Sequence, residues 1–179
     1  MWRDASELSI EAKSKTYFYD SDVAIVKPID LQKLIDAASN DPLKKARLCL
    51  HSNVNHTLHD MIIASNCATY VSPHKHDHSS VYYNIIQGSM GLVIFNNEGN
   101  IKEYHKLEMG KRDQVNSVRI NPGIWHSEIY ISEWVIFSES VLSPLGRKNA
   151  FVNPTWSPGD DRNVQIEFMD KMRKLFDEK

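Results

Sequence analysis

At 179 residues and 20.6 kDa the chain suits a single domain, and its 41% apolar and 25% charged residues exclude a disordered one. Its 21 Lys and Arg against 23 Asp and Glu give a net charge of −2, which excludes the basic footprint of a general nucleic-acid binder. No apolar run approaches the length of a membrane span, the acidic N-terminus lacks the apolar stretch of a signal peptide, and Cys49 and Cys67 are too few for a disulfide framework. The expectation is a cytoplasmic protein with no membrane partner.

Residues 16–27 (TYFYDSDVAIVK) are rich in β-branched and aromatic side chains and read as an early strand or hairpin broken at Asp20-Ser21-Asp22. Pro28 and Asp30 open a helix with Leu31, Leu34, Ile35 and Ala38 at helical spacing and a stop at Asn40. Asp41-Pro42 begins a short turn, read as helical through Lys44 to Leu48. Residues 51–59 are polar and carry no clear period.

From Met61 the texture changes to short strands, predicted near 60–65, 68–73, 80–87, 89–96, 101–108, 115–121, 125–131 and 133–142. Asn96 to Asn100 reads as a hairpin connection, and Asn121-Pro122-Gly123 as a tight turn. Many short strands with evenly spaced turns predict an all-β sandwich or barrel with a few helices rather than a parallel α/β sheet. At the end of the chain Val164, Phe168, Met172 and Phe176 recur at helical spacing, with Ile166 and Met169 nearby. That stripe predicts an amphipathic helix packed on the barrel or on a partner subunit. The domain layout expected is an N-terminal extension over 1–60, a barrel over 61–145 and a C-terminal loop and helix over 146–179.

Eight histidines lean towards chemistry, because imidazole is the commonest metal ligand. Pro73-His74-Lys75-His76 puts two histidines at i and i+2, which share one face of a strand and can reach one ion. About fifty residues later Pro122-Gly123-Ile124-Trp125-His126 delivers a third histidine from a tight turn at the start of a strand. Neighbouring strands can thus supply three imidazoles to one side of an ion and leave the other side open. Alone, the His-x-His pair reads equally well as a solvated strand end, and His126 alone is more often an ordinary half-buried histidine than a ligand.

The His-x-His pair, Gly88 at the following hairpin, and the Pro-Gly-x-x-His turn resemble the two signature motifs of the cupin superfamily, whose fold is a jelly-roll barrel. The leading DLQKLIDAA helix, Arg47, His51 and the later FVNPTW segment extend the match, over about residues 23–160, to WbuC-type cupin metalloproteins encoded among surface-polysaccharide genes. The resemblance implies one divalent metal ion (Zn, Fe(II), Ni or Mn) on His74, His76 and His126. It also implies an isomerase- or epimerase-type enzyme of O-antigen or capsule biosynthesis, acting on a sugar or nucleotide-sugar. One departure stands out: the position where cupins usually carry a Glu ligand is Val81. The site is then a three-histidine site, or another side chain substitutes (Glu128 or Glu139), or the cupin is metal-free. His78 is expected to turn outward.

Glu139 or Tyr83 is the expected acid–base group, and Arg47, His51 and His59 are expected to line the mouth of the cavity as substrate-binding residues; core or surface roles compete for each. Two other readings come from different classes: a non-catalytic small-ligand-binding cupin, and a three-histidine iron dioxygenase. A homodimer is also expected, through the early strand at a sheet edge and the C-terminal apolar stripe.

Overall fold

The computed structural model describes residues 2–8, 10, 12–110, 114–142 and 151–177. Ten strands and two α-helices order the described chain: β1 (Trp2–Asp4), β2 (Lys15–Tyr19), α1 (Pro28–Ser39), β3 (Lys45–Cys49), β4 (Leu58–Asn66), β5 (Val81–Gln87), β6 (Ser89–Phe95), β7 (Ile101–Glu108), β8 (Ser117–Ile120), β9 (Trp125–Tyr130), β10 (Trp134–Leu142) and α2 (Arg162–Arg173). A 3-10 turn, Ala5–Leu8, follows β1. No helix among the described residues is long and apolar enough to cross a membrane.

The strands form a seven-stranded sheet, β1-β2-β3-β4-β10-β5-β8, and a three-stranded sheet, β7-β6-β9. The pairs within them are nested. β4 pairs with β10, His74 bridges His126 at the head of β9, β5 pairs with β8, and β6 pairs with β7, all antiparallel. That is one long hairpin folded over into two facing sheets, the jelly-roll topology. The remaining β1, β2 and β3 extend the larger sheet, with β2 and β3 joined in parallel.

Side-chain alternation divides the chain between three apolar layers. Between the sheets lie Ile63, Val81, Tyr83, Ile85, Met90, Leu92, Tyr130, Val135 and Phe137. Outside the larger sheet, Leu34 and Ala38 of α1 cover Ala46, Leu48, Ile62, Ala64 and Ile136. Outside the smaller sheet, Met172 and Phe168 of α2, with Phe176 beyond it, cover Val93, Phe95 and Ile129. Each helix begins as its sequence dictates. Pro28 occupies the first turn of α1 while the Asp30 side chain accepts from the Lys27 N–H at 2.9 Å, and Asp161 caps α2 by accepting from the Asn163 N–H at 2.9 Å. Gly88 turns the β5–β6 hairpin at φ 79°, where a Cβ would stand 2.5 Å from the Trp134 carbonyl oxygen.

Three expectations are corrected. Residues 44–48 are not helical. Residues 45–49 form strand β3, because pairing with β2 and β4 and burial of Ala46 and Leu48 under α1 outweigh the helix propensity of Lys, Ala, Arg and Leu. The expected strand at 68–73 is absent from the described pairing, which resumes only at His74 and Lys75; Pro73 has no N–H to donate. The early strand ends at Tyr19, short of residue 27. The two features that suggested a dimer are taken up within the chain, the early strand between β1 and β3 and the C-terminal stripe on the smaller sheet. The expected boundary at 145–146 lies outside the described residues.

Candidate metal centre

His74 and His126 face each other across an antiparallel bridge, each backbone N–H donating to the other's carbonyl at 2.9 Å. The Gly123 N–H donates to the His76 carbonyl at 2.8 Å, tying the Asn-Pro-Gly turn to the His-x-His segment. One ring nitrogen from each of His74, His76 and His126 lies within 4.8 Å of the other two. The rings of His74 and His126 are 4.3 Å apart by centroid, those of His74 and His76 5.4 Å.

The outer hydrogen bonds prepare two of these rings for a metal. His126 Nδ1 lies 2.9 Å from the Ile124 carbonyl oxygen, and His74 Nδ1 lies 3.0 Å from that of Ser72. A carbonyl only accepts, so each Nδ1 carries the proton and each Nε2 keeps its lone pair. Nε2 of His126 is fully buried and has no hydrogen-bond partner among the described residues. A buried acceptor left orphaned costs roughly 1–3 kcal/mol, which a bound cation would remove. Burial holds the His126 imidazole down to about 4, with Glu128 opposing, so it is neutral and ligand-ready at physiological pH. The donor set fits a divalent ion of borderline softness.

Alternation along β9 places His126, Glu128 and Tyr130 on the face between the sheets. One Glu128 carboxylate oxygen lies 3.9 Å from His126 Nε2, and the other is buried without a hydrogen-bond partner among the described residues. Burial, the largest influence, pushes the Glu128 carboxyl up. His74, His126, the nearby Tyr83 hydroxyl and Lys45 outweigh it and hold it at about 2. Tyr83 is itself raised far above an ordinary phenol by burial and by Glu128, so it is a proton donor at neutral pH and not a base. Val81, where the cupin carboxylate is expected, is packed among Ile63, Tyr83, Ile85 and Ile120 with 1% of its surface exposed. The carboxylate beside the histidines is Glu128 instead.

These groups open onto a cavity of about 900 Å³ whose walls include His74, His76, Tyr83, Glu128, Tyr130, Glu139, Arg47 and Lys45. Glu139 enters from β10, directly opposite Tyr83 in the β10–β5 register. The structure thus brings Arg47, Tyr83 and Glu139 to the cavity that holds the histidines, and leaves His78 exposed. It does not bring His51 and His59 there. His51 lines a separate cavity of about 960 Å³ with Arg3, His56 and Asp60, and His59 stacks on it at 4.3 Å. The reason is strand rise: His51 follows Arg47 by four residues, about 13 Å along an extended chain. Lys45 and Tyr130 were missed as cavity residues. Alternation would have exposed Tyr130 from His126, whereas Lys45 was hidden by reading β3 as helix.

A family described as a domain of unknown function (DUF6016) matches residues 26–107. No curated protein matches this chain. Among solved structures, the chain is similar to a Shewanella oneidensis protein at 10% identity, over 55% of this chain and 62% of that one, with a TM-score of 0.45. A Lactobacillus farciminis oxalate decarboxylase is similar at 18% identity, over 55% of this chain and 27% of that one, with a TM-score of 0.42. An uncharacterized conserved protein from Klebsiella pneumoniae with a double-stranded β-helix domain is similar at 17% identity, over 62% of this chain and 84% of that one, with a TM-score of 0.44. The chain spans less than two thirds of the length of the first two. The chain's own nested strand pairing is that of a jelly roll. Its cluster of His74, His76 and His126 could hold a metal ion.

Proposed function

We propose that this protein is a metal-dependent enzyme of the isomerase or epimerase type, working on a carbonyl-bearing small molecule held in the 900 Å³ cavity. The observation that carries the proposal is the juxtaposition, at one cavity, of the three-histidine cluster with Tyr83 and Glu128. When bound, the ion supplies Lewis acidity towards a substrate carbonyl. His74 and His126, locked by the Ser72 and Ile124 carbonyls, present their Nε2 atoms to one side and leave the cavity side open. Glu139, half-buried on the cavity wall, accepts a proton from the carbon next to the carbonyl. The Tyr83 hydroxyl, kept protonated by burial, orients Glu128 and supplies a donor.

A sugar or nucleotide-sugar of O-antigen or capsule biosynthesis is the candidate substrate, supported by the resemblance to WbuC-type cupins. The test is solvent exchange. Protein loaded in turn with zinc, nickel, manganese or iron(II) is incubated in D₂O with a panel of nucleotide keto-sugars and followed by mass spectrometry. Metal-dependent deuterium uptake, lost in a double variant with His76→Ala and His126→Ala, is the expected result. No exchange with any metal, or exchange that persists in the double variant, overturns the proposal. Iron(II)-dependent oxygen consumption without exchange would establish the dioxygenase reading in its place.

A further inference from the structure

Lys45 and Arg47 stand two residues apart on β3, so their side chains leave the same face of the strand. Their register partners on β4 are Ser65 and Ile63. Ile63 belongs to the core between the sheets, whereas the intervening Ala46 and the following Leu48 pack beneath α1. The two cations therefore point inward, half-buried, into the cavity that holds the histidine cluster.

Neither side chain has a hydrogen bond or an ion pair within 4.0 Å among the described residues. Other cations of the chain, by contrast, have acidic partners. Arg3 pairs with Asp20, Lys15 with Asp4, Lys75 with Asp77, Lys106 with Glu108 and Arg173 with Asp170. The remaining cations of the cavity wall are engaged or outlying: Lys44 Nζ donates to the Ser39 carbonyl, Arg162 to that of Ala68, and Lys13 is exposed. Glu139 and Glu128 favour the charged form of Lys45 from beyond ion-pair reach. Burial, and then the Arg47 charge, outweigh them and lower the Lys45 amine to about 8. Two unpaired like charges side by side in a half-buried wall are costly, and a bound anion relieves both.

We propose that Lys45 and Arg47 form an oxyanion subsite, so that the molecule handled at the histidine cluster carries a phosphate or carboxylate group seated on β3. The substrate class is then an anionic one, with its charged end at β3 and its reacting end at the histidines; only that second placement rests on the function proposed above. The pairing suits the role. A guanidinium offers a planar fork that grips two oxygens of one anion, and an ammonium adds a compact point charge. Alternate strand positions lie about 7 Å apart, a span two long side chains can close around one anion.

The probes are inorganic phosphate and acetate, titrated calorimetrically into protein freed of metal by chelation. Phosphate or acetate should bind, and Lys45→Met or Arg47→Met should weaken the preferred anion about tenfold or more, as expected for loss of a charged hydrogen bond. Arg47→Lys should fall between. The two anions separate a phosphoryl from a carboxylate end group. In the unmutated protein, the bound anion should protect Lys45 from trinitrobenzenesulfonate, read by peptide mass spectrometry, which keeps the test open if a variant fails to fold. Binding only in metal-loaded protein, with loss in His126→Ala and none in Arg47→Met, would make the anion a metal ligand and overturn the subsite. Metal-free binding that follows Lys45 and Arg47 would stand even if no metal-dependent exchange were found.

Discussion

His74 and His126 are joined twice, by two backbone hydrogen bonds of 2.9 Å and by imidazole rings 4.3 Å apart. The backbone link fixes the ring separation before any ion arrives, so little ordering entropy is spent when one binds. Removing either ring leaves the bridge intact but takes away a donor.

His126→Ala should therefore lose metal while keeping its fold. In the parent, nickel or zinc at a hundred times its dissociation constant should stabilise by about 2.7 kcal/mol and raise Tm by about 5 to 10 °C. The variant should show no metal-dependent rise by differential scanning calorimetry. An equal rise in both would place the ion elsewhere.

His51 should make the metal-free protein sensitive to acid. Burial, followed by the stacked His59, holds its imidazole at about 4 in the folded state against 6.5 as the ordinary value. The unfolded chain takes up the proton first, so the stabilisation is full above about pH 6.5 and disappears as pH falls towards 4. The loss should reach roughly 3 kcal/mol at most for this group. Urea unfolding at pH 7 and pH 5 should show the drop, and His51→Gln should reduce it. His126, lowered in the same direction, should keep part of the slope in that variant.

Tyr83→Phe should destabilise by roughly 1–3 kcal/mol, because it removes the hydroxyl that favours the charged form of the buried Glu128 carboxylate. It should also slow metal-dependent exchange with little change in metal retention. An unaltered urea midpoint would mean that the hydroxyl does not hold Glu128.

Gly91 lies against the Phe176 ring, and a Cβ built there would stand 2.3 Å from its Cε2 atom. Gly91→Val should cost about 1–3 kcal/mol through overpacking. Adding Phe176→Ala should recover part of that loss in a double-mutant cycle, since the two changes share one space. Strict additivity would show that the C-terminal segment does not pack on β6 in solution.

Strands β5, β6, β7, β9 and β10 were legible to within a residue or two, because turns at Gly88, Asn96 to Asn100 and Asn121 to Gly123 bracket their apolar runs. α1 was equally plain from Pro28 and its Leu31-Leu34-Ala38 face. β3 was not. Lys, Ala, Arg and Leu favour a helix locally, and only the neighbouring strands and the α1 contact make the segment extended.

The sequence by itself determined which residues could chelate an ion, since His-x-His on an extended segment and a histidine after a Pro-Gly turn are local patterns. Which carboxylate accompanies them was decided only by tertiary structure. Val81 holds the expected sequence position but packs in the core, whereas Glu128 reaches the cluster because β9 presents every second side chain to the space between the sheets. The same holds for the two histidines that missed the cavity and the two cations that entered it. Strand alternation and rise set where a side chain points and how far along it lies, and both are known only once the register is. Arg47 faces the histidines and His51 does not, because four residues of extended chain carry His51 to a different cavity.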